Sequence, residues 1–330
     1  MLQHEIAELI DNTNMYEIVY KTNYSIDLNS AEKEVAALLD EWARSIGKSG
    51  NDPEHQIAAF LNRVVNDEIY NAPDELLDSM FERGNVGEFD DFKGISTPKN
   101  TLVAYEAAKG GNVPRSFLDV SVLTPAWKNR QIESDISYVD LRRNGWKNVA
   151  LISEYAVAAL KNAMFYDIFN AIDAGISSGA ANYIAESTAK PTQATMDALA
   201  LYLAEHANPA ECNIITLYKY IQSASKLTGF DSDNMRDEVN RNGRLGVYDG
   251  VPLTPITSAK KVGSNLMIPD KRMFGVAGII GNLDMKGEIH TYEDMDNNKE
   301  QVHLMFKDFT YGYSFNDNAI ENVCKVVMAQ

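Results

Sequence analysis

Gly175-Ile176-Ser177-Ser178-Gly179 is the one Gly-x-Ser-x-Gly run in the chain, the pattern of an exposed serine nucleophile. That chemistry needs a strand before the serine and a helix after it, so that a sharp turn lifts the hydroxyl off a sheet. Here a long helical pattern precedes Ser177 and no apolar helix follows at once, so a helix-ending hinge is the better reading. Gly47-Lys48-Ser49 matches the end of a phosphate loop, but the motif asks for glycine five residues before Gly47, and position 42 is Trp. Gly275, Gly278 and Gly281 stand three apart in an apolar, strand-like run. That is not the dinucleotide fingerprint, and it reads as close backbone packing. Asp294, Asp296 and Asn298 alternate as in a calcium loop, yet Lys299 and Met305 stand where glycine and glutamate belong. A hairpin turn accounts for them better.

The five histidines, His4, His55, His206, His290 and His303, show no helical pair spacing that suits zinc. His290 and His303 are expected to face one another across the last hairpin, as surface packing. Cys212 lies in a short apolar run and reads as a small core residue. No carboxylate pair stands out. The residues therefore assign no catalytic, cofactor-binding or metal-ligating role and imply no cofactor. The expectation is a chain that is not an enzyme, with a soluble hydrolase using Ser177 as the alternative from another class.

Composition points the same way. The chain has 330 residues, 45% hydrophobic and 23% charged, enough apolar material for a large core. No run approaches the length of a membrane span, and MLQHEIAELIDN lacks the basic and apolar regions of a signal peptide. Cys212 and Cys324 alone cannot make a disulfide framework, which fits a reducing compartment. The net charge is −17, concentrated at the front: residues 1 to 92 hold 20 acidic and 6 basic side chains. An acidic segment repels phosphate, so sequence-specific nucleic-acid binding is not expected.

The elements follow from periodicity. Helices are expected over 30–47, with Ser30 as N-cap, and over 53–71, with Asp52 before Pro53. A short one is expected over 73–83. Residues 84–101 read as a linker or arm. Leu118, Val120 and Val122 alternate with polar residues, as do Ile132, Ile136 and Tyr138. The pair reads as a long hairpin with its tip at 125–130, near Trp127. Such a ribbon has little to bury against in its own domain and points to packing on a neighbouring molecule. From Trp146 to Ala174 no glycine or proline interrupts, and Val149, Ile152, Ala156, Leu160, Met164, Ile168 and Ile172 mark one face of a long helix. Further on, 193–206 and 218–227 read as helices. Strands are expected over 212–217, 251–257, 272–280, 288–292 and 301–309, and a last helix over 317–328. The fold class is α+β.

This order of parts resembles the major capsid protein of tailed bacteriophages, the Hong Kong ninety-seven type of fold. NGWKNVALISEYAVAALKNAMFYDIFNAI (144–172) is similar to its spine helix. NRNGRLGVYDGVPLTPI (240–256) is similar to the glycine-rich stretch before a short Gly-Val-Pro strand, and FKDFTYGYSF ends the last strands. The resemblance covers about 84–330. It implies an N-terminal arm (84–101), an extended hairpin loop (102–143), a spine helix with part of a peripheral domain (144–190), an axial domain (191–262), and peripheral β-sheet strands with a C-terminal segment (263–330). Residues 1–83, acidic and helical, depart from the minimal pattern and resemble the scaffold-like extension of some members, which lies inside the shell and is removed in some. Lys109 and Lys128 fall in the loop, without a motif for crosslinking. The resemblance implies a homo-oligomer of hexameric and pentameric capsomers, with scaffolding, portal and decoration proteins as partners. It implies an icosahedral virion shell around double-stranded DNA, bound without sequence specificity, assembled in the bacterial host cytoplasm and away from membranes. A bacterial nanocompartment shell shares this fold, and a head–neck or tail component is a further reading.

Overall fold

The computed structural model describes residues 15–45, 56–90, 106, 126–226, 239, 241–296, 299–316 and 321–329. The front of the chain is helical: α1 (Met15–Asn23), α2 (Ser30–Ser45), α3 (Gln56–Asn66), a π-helical turn (Asp67–Asn71) and the short α4 (Glu75–Asp78). Strand β1 (Phe81–Val86) follows. Then come β2 (Ala126–Ser137), α5 (Tyr138–Asn144) and α6 (Trp146–Gly175), the spine helix. After β3 (Tyr183–Glu186) and α7 (Gln193–His206) come β4 (Cys212–Leu217) and α8 (Tyr218–Ala224). The remainder is strand: β5 (Val247–Tyr248), β6 (Val251–Ile256), β7 (Lys261–Val262), β8 (Asn265–Leu266), β9 (Arg272–Ala277), β10 (Gly281–Lys286), β11 (His290–Asp296), β12 (Gln301–Phe315) and β13 (Val323–Met328).

Two sheets divide the strands. One has six in the order β3-β13-β9-β4-β6-β5. The other is built on β12, whose 15 residues pair along one edge with β2 and along the other with β11 and then β10. Strand β1 joins the far side of β10 in parallel. The stretch 263–330 is thus split: β10, β11 and β12 enter the five-stranded sheet, while β9 and β13 flank each other beside β4.

One irregularity keeps β12 in register with the core. The ladder with β2 shifts between Phe306 and Phe309, and Asp308 there has φ +67°. An extra residue flips the side-chain phase of a strand. Phe306 and Phe309, an odd step apart, are consequently both buried.

The spine helix has 30 residues, which spans about 45 Å at 1.5 Å per residue. It lacks a single apolar stripe because it is packed on most of its sides. Val149, Ala156, Leu160, Met164, Ile168 and Ile172 are buried as the periodicity predicts, and so are Ala150, Ser153, Val157, Phe165 and Phe169. Helices α1, α2 and α3 lie against it. Ile18, Leu39, Phe60, Leu61, Val64 and Ile69 share its hydrophobic core, together with side chains from both sheets.

Several expectations need correction. The 73–83 helix stops at Asp78, and Phe81–Val86 is strand β1, so the arm expected from residue 84 starts inside a sheet. Residues 126–137 form one strand rather than a hairpin tip, with Trp127 opposite Gly312. That strand pairs with β12 of its own chain. The partner strand expected at 115–124 lies outside the described residues, as do Lys109, Asp52, Pro53 and Gly47-Lys48-Ser49. Val323–Met328 is a buried strand instead of a helix. Helix α2 is capped by Asn29, not Ser30: the Glu32 N–H donates to Asn29 Oδ1 at 2.9 Å while the Asn29 N–H donates to Glu32 Oε2 at 2.8 Å. That reciprocal pair is a capping box.

Candidate functional site: the polar anchors of the spine helix

A 30-residue helix joins the helical layer to both sheets, and three polar clusters fix it. At its start, Gly145 has φ +65° and no side chain to cap the helix. Asp40 of α2 does so instead, accepting the Trp146 N–H at 3.3 Å. A Cβ on residue 145 would overlap that carboxylate, so glycine is required twice over. An anion at this end also complements the helix dipole.

The second cluster surrounds Asp167, which is 6% exposed although charged. Arg130 of β2 donates Nη2 to both carboxylate oxygens, at 2.8 and 2.6 Å, and Nε at 3.3 Å. Lys128 Nζ lies 3.1 Å away, and Tyr311 of β12 donates its hydroxyl. Tyr313 donates to the Asp167 main-chain oxygen at 3.3 Å. Burial opposes the Asp167 charge, yet the hydrogen bonds from Arg130, Tyr311 and Lys128 outweigh it and hold the carboxyl below its ordinary range. Burial, then the Asp167 contact, raises the Tyr311 hydroxyl. The helix is bolted here to the five-stranded sheet.

The third cluster ends the helix. Lys325 of β13, 6% exposed, reaches Asp173 Oδ1 at 2.8 Å and donates to the main-chain oxygens of Asp173 (2.6 Å) and Ile176 (3.2 Å). Arg272 of β9 adds Nε to Asp173 Oδ1 at 3.0 Å. A buried ammonium over the last carbonyls satisfies groups that a helix end leaves unpaired. This clamp belongs to the six-stranded sheet.

A fourth carboxylate secures that sheet to α7. Glu186, at the end of β3, accepts from the Thr188 N–H (3.0 Å), the Thr192 N–H (3.2 Å) and the Thr192 and Thr195 hydroxyls (2.6 and 2.5 Å). Burial disfavours its charge, but the threonine and backbone donors bring the carboxyl down to about 2.

The residues suspected of chemistry are scattered. Ser177 is exposed beyond the end of α6, followed by a turn and then β3, so the strand–serine–helix arrangement is absent. His290 and His303 do not face each other: His290 pairs with Lys307, and His303 stands between Asp294 and Asp135, bonding the latter at 2.6 Å. Asp294 and Asp296 lie within strand β11, opposite His303 and Gln301, and the turn follows them; Asn298 lies outside the described residues. Gly275 allows close packing, since a Cβ there would meet Leu199 Cδ1 at 2.7 Å and Leu203 Cδ1 at 2.9 Å. Cys212 and Cys324 are buried, and burial raises both thiols, Cys324 to about 12, which leaves them unreactive. Among the described residues no group of three or more His, Cys, Asp or Glu could hold a metal, and no helix is long and apolar enough to cross a membrane.

The surface at the start of the spine carries large apolar side chains. Tyr20 of α1 and Tyr24 in the turn just after it touch ring to ring at 4.6 Å and are 44% and 58% exposed. Leu151 and Tyr155, one helical turn apart on α6, are 38% and 62% exposed. Tyr24 also donates to Glu154 at 3.3 Å, which joins the two helices into one patch. Grouped exposed apolar side chains are the usual mark of a contact surface.

The architecture is that of the major capsid proteins of tailed phages, the Hong Kong ninety-seven type. Two solved structures in particular show it over nearly their whole length. One, from Gordonia phage Cozz, is 12% identical and aligns over 87% of this chain and 99% of its own with a TM-score of 0.54. The other, the capsid of an empty GTA particle, is also 12% identical, aligning over 92% and 100% with a TM-score of 0.50. No protein-family model and no curated protein matches the sequence. The likeness is one of fold, carried by geometry where the sequences have diverged.

Proposed function

We propose that this chain is the head-shell protein of a tailed phage and self-assembles into pentamers and hexamers of an icosahedral shell around double-stranded DNA. The observation that carries the reading is the fold correspondence along 87% of this chain and 99% of the Gordonia phage structure. A shell subunit needs rigidity over its long dimension, and the three anchors on α6 supply it. In this reading the six-stranded sheet with α7 and α8 is the axial domain, the five-stranded sheet is the peripheral domain, and residues 84–143 carry the arm and extended loop. Assembly takes place in the bacterial host cytoplasm, with scaffolding, portal and decoration proteins as further partners. The role is structural, and no cofactor is required. Electron microscopy of the purified chain at assembly concentration tests it: closed shells with five- and six-fold capsomers are expected. A monodisperse monomer over a range of salt, with the expected partners present, would overturn it.

A further inference from the structure

The five-stranded sheet has one face toward the spine helix, where Leu283, Met285, Phe309 and Tyr311 are buried, and one face away from it. Side chains alternate along a strand, so Asp284 of β10 belongs to the far face. Its carboxyl is unusual. The residue is 8% exposed, and it makes no hydrogen bond or ion pair within the described chain. Burial alone acts on it and raises it above the ordinary carboxylate range.

The neighbours form a slot. Gly84 of β1 and Gly312 of β12 stand directly beside Asp284 in the ladder. A Cβ at residue 84 would overlap the carboxylate. On the same face, Ser314 pairs across from Asn282, diagonal to Asp284. Ser314 is 8% exposed and its hydroxyl has no partner. Among the described residues, Lys286 stands on this face with Nζ 5.4 Å from the centroid of the Trp127 ring and makes no ion pair with Asp284.

A lone buried carboxylate is costly and is ordinarily paired. Among the described residues the acceptors are in place and the donor is missing. A divalent ion fits poorly, because calcium takes six to eight oxygens, several of them carboxylate, and this slot has one buried carboxylate, Glu82 beside it being exposed. A guanidinium or ammonium group fits better, being multi-donor and charged. We infer that the Asp284 slot, with Ser314 beside it, receives a basic side chain from a second copy of this chain. The inference rests on the shell reading, which guarantees that second copies are present.

The test compares Asp284→Asn with wild type in two states, the free subunit below assembly concentration and the assembled shell. The variant keeps the shape and removes the charge. Unfolding of the free subunit is expected at a higher temperature, because an unpaired buried charge is gone. Assembly is expected to need about tenfold more protein, the loss of one charge-assisted contact. A purely local role for Asp284 would move both measurements in the same direction. Asp284→Glu and Ser314→Ala keep the charge and should assemble within a few-fold of wild type. Asp284→Asn assembling at the wild-type concentration would overturn the pairing alone. So would wild-type shells that fall apart in EDTA and reform with magnesium or calcium, which would assign the slot to an ion. A wild type that forms no shell would remove the shell reading, and this contact with it.

Discussion

Arg130 on β2 grips Asp167 on the spine helix through both carboxylate oxygens, with Nη2 at 2.8 and 2.6 Å. The two residues are 37 apart in sequence. The pair joins a strand of one sheet to a helix that also anchors the other. Its asymmetry matters: the Asp167 side chain is 7% exposed and that of Arg130 is 37% exposed. The arginine can lose its partner and turn to water, whereas the aspartate cannot.

Removing Arg130 should therefore be the more damaging change. Arg130→Ala strands a buried carboxylate beside Lys128 and is expected to destabilise the subunit by about 3 kcal/mol. Tyr311→Phe removes a single donor and should lose about 1.5 kcal/mol. Urea unfolding of the free subunit measures both. In the double variant Arg130→Ala with Asp167→Asn the losses should be less than additive, because the stranded charge is gone. Additive losses would mean that the two side chains do not interact.

Glu186 gives the fold an acid limit. Its carboxyl lies near 2, below the ordinary 4.5 of a free glutamate. A depressed carboxyl stabilises the folded state above the unfolded value and loses that contribution as pH falls through the folded value. The expected window runs from about pH 4.5 down to about 2, and the contribution near neutrality is about 3 kcal/mol. Glu186→Gln should remove that much at pH 7 and flatten the stability curve across the window. An unchanged acid profile in the variant would assign the acid limit to other carboxylates, Asp167 first among them.

Legibility in the sequence followed the range of the forces involved. Helix α7 at Gln193–His206 and strand β4 at Cys212–Leu217 match their expected bounds, and α6 exceeds its own by one residue. Each is set by local periodicity. Strand β1 was hidden because FERGNV is apolar only at its ends, and its strand character comes from pairing with β10, two hundred residues away. Strand β13 reads as helix in the sequence because VCKVVM is buried on both faces, which erases the period-two signal. The anchors do leave a signal in the sequence. Asp167 interrupts AMFYDIFNAI, and an acid inside an apolar helix face demands a cation from elsewhere. Which cation, and on which strand, only the fold shows.

Gly275 places α7 on the six-stranded sheet. Leu199 and Leu203 occupy the space a side chain would need. Both leucines are fully buried, so they cannot swing into solvent. Gly275→Ala should therefore destabilise by about 1–3 kcal/mol through overpacking, although alanine favours a strand no less than glycine does. Combining it with Leu199→Ala should recover part of the loss. A neutral Gly275→Ala would mean that α7 can ride up on the sheet.

The acidic front of the chain presents the sharpest choice. By resemblance it is a scaffold-like extension that can be removed. Its packing argues for retention of the described part. Ile18, Val35, Leu39, Ile57, Phe60, Leu61, Val64, Val65 and Ile69 are all buried in the core shared with the spine. At about 1.5–3 kcal/mol for each such side chain, their loss is as large as, or larger than, the roughly 5–15 kcal/mol that a folded domain has in reserve. Asp40 would leave with them and uncap α6. A chain starting after residue 71 is expected to be insoluble or to lose its near-ultraviolet circular dichroism. Intact mass of assembled shells should show residues 15–83 still attached, whatever happens before residue 15. Well-formed shells from the truncated chain would show instead that both sheets hold the spine without its helical layer.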